Sequence, residues 1–451
     1  MDVVPVPVPH LGNRCHLVHD GRLALVVDPP RDHRVVEAAA AAAGVEIAAV
    51  ADTHVHNDYV SGAPLLARRH AADHLVAAAE RVDVPRIGVH DGDVLAVGTL
   101  RVEVIDTPGH THHHQSFHVT DRAHAGAGGA VLSGGSLLHG TVGRTDLLGP
   151  EHTLDLARAQ WWSARRLATL PTTTALLPTH GFGSFCAGGD VAGTGGASVT
   201  LGHQLVTNAA LTTNREEFVA RLVAGYGPVP TYYSHMGGLN RAGRGAEVPA
   251  ASRPVTADQV TDALRAGQWV IDVRDRALFA EAHLEGAVSV EHTSQFATYV
   301  GWLVPWQDDI VLLGDEPGAI AAAVRELESI GIEGVATHAL APGHRMPAGY
   351  RRARWEDLAA LGDPPVVLDV RRHDEFDAGH LTDARHIPLH ELEMRIPELP
   401  DGEIWVHCRS GFRAGTAASL LQRAGRAVVH LDDDWDRVPA VHLSVDGAAA
   451  A

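Results

Sequence analysis

The sequence predicts a multidomain α/β protein, with an α/β sandwich over its first half followed by two small α/β domains built on parallel sheets. Three observations carry this. Up to about residue 210, short apolar runs of β type alternate with helical stretches and glycine-rich loops. A stretch rich in Gly, Pro and Ala, RAGRGAEVPAASRP, then breaks the pattern and sets a boundary near residue 250. Beyond it the chain repeats itself once, with a period of roughly 95 residues. Two copies mean two domains, too few for a solenoid, and 451 residues leave room for three cores.

Taken in order, Leu23–Val27, Glu46–Val50, Arg101–Ile105 and Ala175–Leu177 are the expected strands of the first part, with helices over Gly62–His70, Leu154–Leu170 and Arg215–Ala224. The expected division is a domain over 1–240, a linker over 241–254, and domains over 255–348 and 352–442. The repeat shows when WVIDVRDRALFAEAHLEGAVSV, from Trp269, is set beside VVLDVRRHDEFDAGHLTDARHI, from Val366. In each copy an apolar strand ends in Asp-Val-Arg, a short helix carries Phe, and a turn holds His-Leu before the next strand. That is βα alternation with a parallel sheet.

Composition removes several function classes. A formal charge of −19 without a basic cluster argues against nucleic acid and anionic membranes. All 36 basic residues are arginines, so no P-loop lysine, pyridoxal Schiff base or lysine nucleophile exists in this chain. Cys15, Cys186 and Cys408 fit neither a disulfide framework nor a CxxC knuckle, which suits a reducing compartment. The opening MDVVPVPVPHLGN lacks a basic region and an apolar core, and the apolar run around Val35 to Ala43 is too short to span a bilayer. A soluble cytoplasmic location is the expectation.

The apolar run Glu403–Val406 reads as a buried strand that delivers HCRSGFRAG to a helix over Ala414–Ala424. Cys408 thus opens a six-residue loop, Cys408 to Arg413, on a helix N-terminus. Inward backbone N–H groups, the helix dipole, Arg409 and Arg413 all favour a thiolate there. The same cradle of Ser410, Gly411 and Phe412 would seat a persulfide anion and aim its outer sulfur at an acceptor thiol. This strand, loop and helix resemble the active-site loop of the rhodanese family, and LDVR (Leu368–Arg371), Glu375-Phe376 and Gly379-His380-Leu381 match that family too. The resemblance implies a sulfurtransferase with Cys408, Arg409 and Arg413 as catalytic residues. Phosphatases of related shape have one more residue in this loop, so the short loop favours sulfur over phosphate. In the first copy the strand Ile310–Leu313 runs into GDEPGA, without a cysteine and with two acids, which implies a scaffold.

In the first part, ADTHVHNDYVSG places His54, His56 and Asp58 in a loop before a helix, TPGHTHHH supplies His110, and LLPTHGFGS supplies His180. Zinc and iron take imidazole and carboxylate ligands converging from such loops. His112 to His114 read as a solvated loop. These segments, in this order, resemble the metallo-β-lactamase superfamily, an αββα sandwich with a THxHxDH, PGHT, GD and final-His signature. GRTDL (Gly143–Leu147) and GFGSFCAG look most like its persulfide dioxygenase branch, of which a fused rhodanese is typical. That resemblance implies iron(II), with zinc as the alternative, on His54, His110 and an aspartate, together with His56, Asp58 and His180 as metal-site residues. The aspartate is absent: the segment reads LSGGSLL, with Gly135 in its place, and Tyr59 replaces the last histidine of THxHxDH. On this reading either another acid, such as Asp58 or Asp146, enters the sphere or the site is substantially empty, and an aspartate restored at 135 would improve metal binding.

The implied substrates are low-molecular-weight thiols and persulfides such as glutathione persulfide, with thiosulfate or sulfite, and Arg144 is the expected partner of a glutathione carboxylate. A homo-oligomer is compatible with all of this. Two alternatives stay open: a sulfurtransferase whose first domain is only a binding scaffold, and a metal-dependent thioester hydrolase of glyoxalase II type.

Overall fold

The computed structural model, which describes residues 1–124, 128–188, 199–341, 346–362 and 365–447, resolves the predicted alternation into two units. One comprises Met1–Pro249 with Glu328–Gly331, and the other takes most of the chain from Ala250 onward.

Side-chain alternation along the strands decides the layering of the first unit. A six-stranded sheet runs in the order Asp2–Val8, Asn13–His19, Leu23–Val27, Glu46–Ala51, Asp73–Ala77, Ile87–Val89. A five-stranded sheet runs Ala175–Pro178, Ala130–Gly134, Gln115–Asp121, Leu100–Asp106, Val94–Val97. Leu25 and Val27 point between the sheets and pack with Val102, Val104 and Phe117. Their neighbours Ala24 and Val26 point the other way, onto Val36, Ala40 and Leu66 of the helices His33–Ala43 and Ala63–His70. On the second sheet Leu132 faces inward while Val131 packs on Ala157 and Ala164 of the helix Pro150–Leu167. Period-two strands covered on both outer faces give the αββα sandwich. The last helix begins earlier than the sequence predicts because Pro150, after Gly149, fits the first helical position.

The second unit contains two sheets of identical strand order, all pairs parallel. One is Arg253–Pro254, Ala336–Ala339, Ile310–Gly314, Trp269–Asp272, Val288–Ser289. The other is Arg351–Ala353, Val428–Leu431, Ile404–His407, Val366–Asp369, Arg385–His386. Their central strands are buried along their whole length, as parallel strands covered on both faces require. The expected linker 241–254 is not wholly irregular. It holds a short 3-10 turn, Arg244–Ala246, and its end, Arg253–Pro254, is an edge strand, where proline is tolerated. Among the described residues no helix is long and apolar enough to cross a membrane.

The repeated Asp-Val-Arg and His-Leu signatures are structural clamps. Asp369 holds the Arg371 guanidinium through contacts of 2.6 to 3.0 Å, and Arg371 donates to the Gly379 carbonyl at 2.7 Å. Asp272, Arg274 and Ala282 repeat this at 2.7 to 3.1 Å and 2.9 Å. His380 stacks on Phe376 at 3.7 Å, as His283 does on Phe279 at 3.9 Å. Both members of the Asp369–Arg371 pair are buried. Asp369→Asn therefore leaves a buried cation and should cost about 3–5 kcal/mol. Urea denaturation followed at the tryptophans checks it, and a cost below about 1 kcal/mol would show that the pair is not the clamp described.

Candidate active sites

Four strands of the first unit end at one place and deliver its polar cluster. The loop after Glu46–Ala51 brings His54, His56 and Asp58, the turn after Leu100–Asp106 brings His110, and the end of Ala175–Pro178 brings His180. All five are buried. The fourth strand, Leu23–Val27, contributes Asp28, which the sequence reading missed. Its carboxylate accepts from the Thr53 N–H at 2.7 Å, the Thr53 hydroxyl at 2.8 Å and the Thr179 hydroxyl, and it pairs with His56 Nε2 at 3.2 Å. Burial alone would raise the Asp28 carboxyl and lower the His56 imidazole. Their pairing outweighs it, holding the carboxyl well below the usual range and the imidazole above its own.

The other histidines are neutral. Desolvation, then the neighbouring imidazoles, push His110 and His180 down to about 3, and they lower His54 and His114 as well. Each ring is fixed by a partner on its far nitrogen. His54 Nδ1 lies 2.9 Å from the Thr53 hydroxyl, His110 Nδ1 2.8 Å from the Arg144 carbonyl, and His180 Nδ1 2.9 Å from Asn13 Oδ1. The Asn13 amide also donates to Asp58 at 2.7 Å. His110 Nε2, His56 Nδ1 and Asp58 Oδ1 are buried without a hydrogen-bond partner. Oriented imidazoles with unpaired nitrogens facing inward are the donor set a borderline divalent metal takes, so these residues fit one.

Several expectations from sequence are corrected here. His114 is not in a solvated loop: it is buried, stacks on His54 with ring centroids 4.9 Å apart, and accepts the Gly135 N–H at 3.0 Å. Arg144 is 4% exposed, and its guanidinium is spent on Asp146 at 2.6 and 2.7 Å and on the Gly227 carbonyl at 2.7 Å. In this arrangement it offers nothing to a glutathione carboxylate, and Asp146 offers nothing to a metal. What Arg144 contributes is its carbonyl, which orients His110.

Gly135 is also more than a lost aspartate. A Cβ there would lie 2.2 Å from His110 Cδ2, and one on Gly143 would lie 2.8 Å from His110 Nδ1. The His110 ring fills the space between two glycines. An aspartate at 135 would collide with a metal-site histidine instead of completing the site. Gly135→Ala alone should destabilise the first unit by about 1–3 kcal/mol, through overpacking against that ring. Chemical denaturation measures this, and unchanged stability would mean that the ring moves aside freely.

The second site lies at the C-terminal end of the central strand Ile404–His407, the place where open parallel sheets form their crevices. The helix starts at Phe412, two residues earlier than the sequence predicts, which puts Arg413 in its first turn. Cys408 is 1% exposed. The carbonyls of the loop are turned away and tied. Arg409 O accepts from the Trp435 N–H at 2.7 Å, Gly411 O pairs with His430 Nε2 at 2.9 Å, and Ser410 O receives Arg276 at 3.5 Å. Among the described residues the N–H groups of Arg409 to Arg413 meet no protein acceptor, so they are available to an anion.

Gly411 has φ 89°, and a Cβ on it would lie 2.1 Å from Asp432 Oδ1, so the turn requires glycine. Arg413 is locked in two bonds to Glu375 at 2.6 and 2.7 Å, whereas Arg409 pairs with Asp436 at the surface at 2.9 and 3.1 Å. Phe412 lies 5.5 Å from the ring of Tyr299 in the first copy. In that copy only Asp315 and Glu316 separate the strand Ile310–Gly314 from the helix at Pro317, with no thiol and no cradle.

With this geometry in view, comparison with known proteins defines the class. Residues 256–339 and 356–438 match the family model of the Rhodanese-like domain. The second unit is a tandem of rhodanese-like domains, and the first has the metallo-β-lactamase fold. A solved structure described as a metallo-β-lactamase from Staphylococcus aureus superposes with a TM-score of 0.66 at 26% identity, covering 75% of this chain and 98% of that one. A structure of ETHE1 from Myxococcus xanthus gives a TM-score of 0.44 at 24% identity, over 54% of this chain and 99% of that one. Hydroxyacylglutathione hydrolases are similar to part of the chain. That of Gloeobacter violaceus is 31% identical over 164 residues, 35% of this chain and 59% of its own length. That of Cereibacter sphaeroides is 32% identical over 182 residues, 39% and 65%. The chain thus spans about three fifths of these curated relatives.

Proposed function

We propose that this protein handles sulfane sulfur, with Cys408 as the sulfur-carrying nucleophile of the second rhodanese-like domain and the histidine cluster as a metal site acting on a low-molecular-weight persulfide. The observation that carries the reading is the Cys408 loop, whose carbonyls are tied elsewhere while its N–H groups meet no protein acceptor among the described residues, next to a buried thiol ahead of a helix N-terminus. The Cys408 thiolate attacks the outer sulfur of thiosulfate, a bond forms between the two sulfurs, and sulfite leaves with the electron pair of the broken S–S bond. The persulfide anion on Cys408 keeps its charge beside those N–H groups. An acceptor thiolate then attacks the outer sulfur and Cys408 departs as the thiolate. Arg413, held by Glu375, adds fixed positive charge behind the loop.

In the first unit a bound metal would offer positions for a sulfur ligand and dioxygen. This chain's own residues hold the imidazoles neutral, exclude water from the cluster and fix each ring. The rival reading, thioester hydrolysis, has the named relatives on its side. Against it stands Tyr59, where a two-metal hydrolase would carry a histidine, whereas Gly135 removes a carboxylate that either chemistry would use. Oxygen uptake with glutathione persulfide, set against hydrolysis of an S-acyl glutathione, separates the two readings.

Two outcomes test the Cys408 site. Cys408→Ser should lose all thiosulfate-to-thiol transfer while Cys186→Ser, whose thiol burial keeps protonated, retains it. The opposite pattern would remove the assignment. The short loop should also exclude tetrahedral phosphate, so aryl-phosphate hydrolysis should stay at background. Phosphate release that vanished with Cys408→Ser would turn the reading toward a phosphatase.

A further inference from the structure

In the histidine cluster the Nε2 atoms of His54 and His180 face each other. The Thr53 hydroxyl donates its single proton to Asp28, so toward His54 it can only accept, and His54 Nδ1 carries the ring proton. The Asn13 amide nitrogen donates to Asp58, which leaves its oxygen as the acceptor for His180 Nδ1–H. The Arg144 carbonyl can only accept from His110 Nδ1–H. With Nδ1–H engaged in this way, an uncharged ring turns a bare Nε2 toward the cluster. The Nε2 atoms of His54 and His180 are 3.4 Å apart, and that of His110 has no hydrogen-bond partner. The three rings offer ligand atoms within 4.8 Å of one another.

Two lone pairs opposed at 3.4 Å repel unless a cation lies between them. A metal at about 2.1 Å from each would see them at an angle of about 108°, the bite of two ligands in a tetrahedral site. We propose that the first unit holds a single divalent transition metal through His54, His110 and His180, an all-imidazole set in which His180 takes the place left vacant by the missing carboxylate. His56 stays outside this set, anchored on Asp28 and 3.0 Å from the Tyr59 hydroxyl. Asp58 orients His180 through Asn13. This deepens the metal reading above and adds its ligand class. Three neutral ligands leave the cation its full charge, so the open positions favour an anionic sulfur ligand, a thiolate or persulfide, over a neutral one.

The test uses the full chain, stripped with a chelator and titrated with Co(II), with metal per chain measured after gel filtration. Wild type should bind one metal. His54→Ala, His110→Ala and His180→Ala should each weaken binding at least 100-fold, and His56→Gln should stay within tenfold. Asn13→Ala, a milder change that keeps all three ligands, should cost about tenfold. In water, the Co(II) form should show three exchangeable, paramagnetically shifted imidazole N–H proton resonances, falling to two in His180→Ala reconstituted at high metal.

Two metals per chain, none in folded wild type, full affinity in His180→Ala, or a loss in His56→Gln equal to that in His180→Ala would each overturn the proposal. Thermal melts of every variant separate loss of ligand from loss of fold, and tight Co(II) binding unchanged in Asn13→Ala counts against His180 even if His180→Ala does not fold. Sulfur transfer through Cys408, assayed in the same preparations, does not need the metal. Its failure would strike the sulfur reading and leave the metal count standing.

Discussion

The first unit is organised by one buried carboxylate. Asp28 sits at the end of an inner strand in the left-handed region, φ 54°, a conformation that aspartate tolerates better than most residues. A charge so placed is costly unless fully satisfied, and here it collects donors from Thr53, Thr179 and His56. Because Thr53 and Thr179 each precede a metal-site histidine, satisfying Asp28 also fixes the backbone that carries His54 and His180. The tautomer of His54 follows from it as well, since Thr53 has only one proton to give. Folding and site geometry are thus set by the same set of hydrogen bonds.

The second unit repeats one framework with two different loops. Both copies keep the Asp–Arg clamp and the His–Phe stack, which hold the sheet edge and the turn in place. The loop after the central strand differs, and there the first copy has two acids, Asp315 and Glu316, in place of a cradle. That copy instead braces the helix behind Cys408. Ser289 donates its N–H to the Ser419 hydroxyl at 3.0 Å, His283 meets Gln422 at 2.6 Å, and Arg276 reaches Asp432 at 2.8 Å, the carboxylate that abuts Gly411. A loop that must keep its N–H groups turned inward depends on such external anchors for its carbonyls.

Much of this was legible in the sequence, and the rest was hidden for identifiable reasons. Alternating apolar runs located the strands, the repeat located the two small domains, and the segments bearing His54, His110, His180 and Cys408 stood out because each follows an apolar strand. Asn13 and Asp28 did not stand out, because their meaning lies in partners up to 167 residues away, as Asn13 is from His180. His114 was concealed by its polar neighbours, since composition cannot tell which histidine of three turns inward. Arg144 showed a plausible charge but not that Asp146 and Gly227 already use it. Gly135 was read as a missing side chain, when the space its Cβ would occupy belongs to His110.

Under the proposed function the two sites would select the same chemical class by different physics. Around Cys408 an anion is held by backbone dipoles and one locked arginine, with no metal and little solvent. In the histidine cluster Asp28 is held by Thr53, Thr179 and His56, and Asp58 accepts from Asn13, so the proposed ligand set is made of imidazoles alone. A persulfide is more acidic than its parent thiol, so near neutral pH it arrives as an anion where the thiol is mostly protonated. Under the proposed function both sites would discriminate by charge state, which would separate persulfides from the larger thiol pool without a pocket that reads the rest of the molecule.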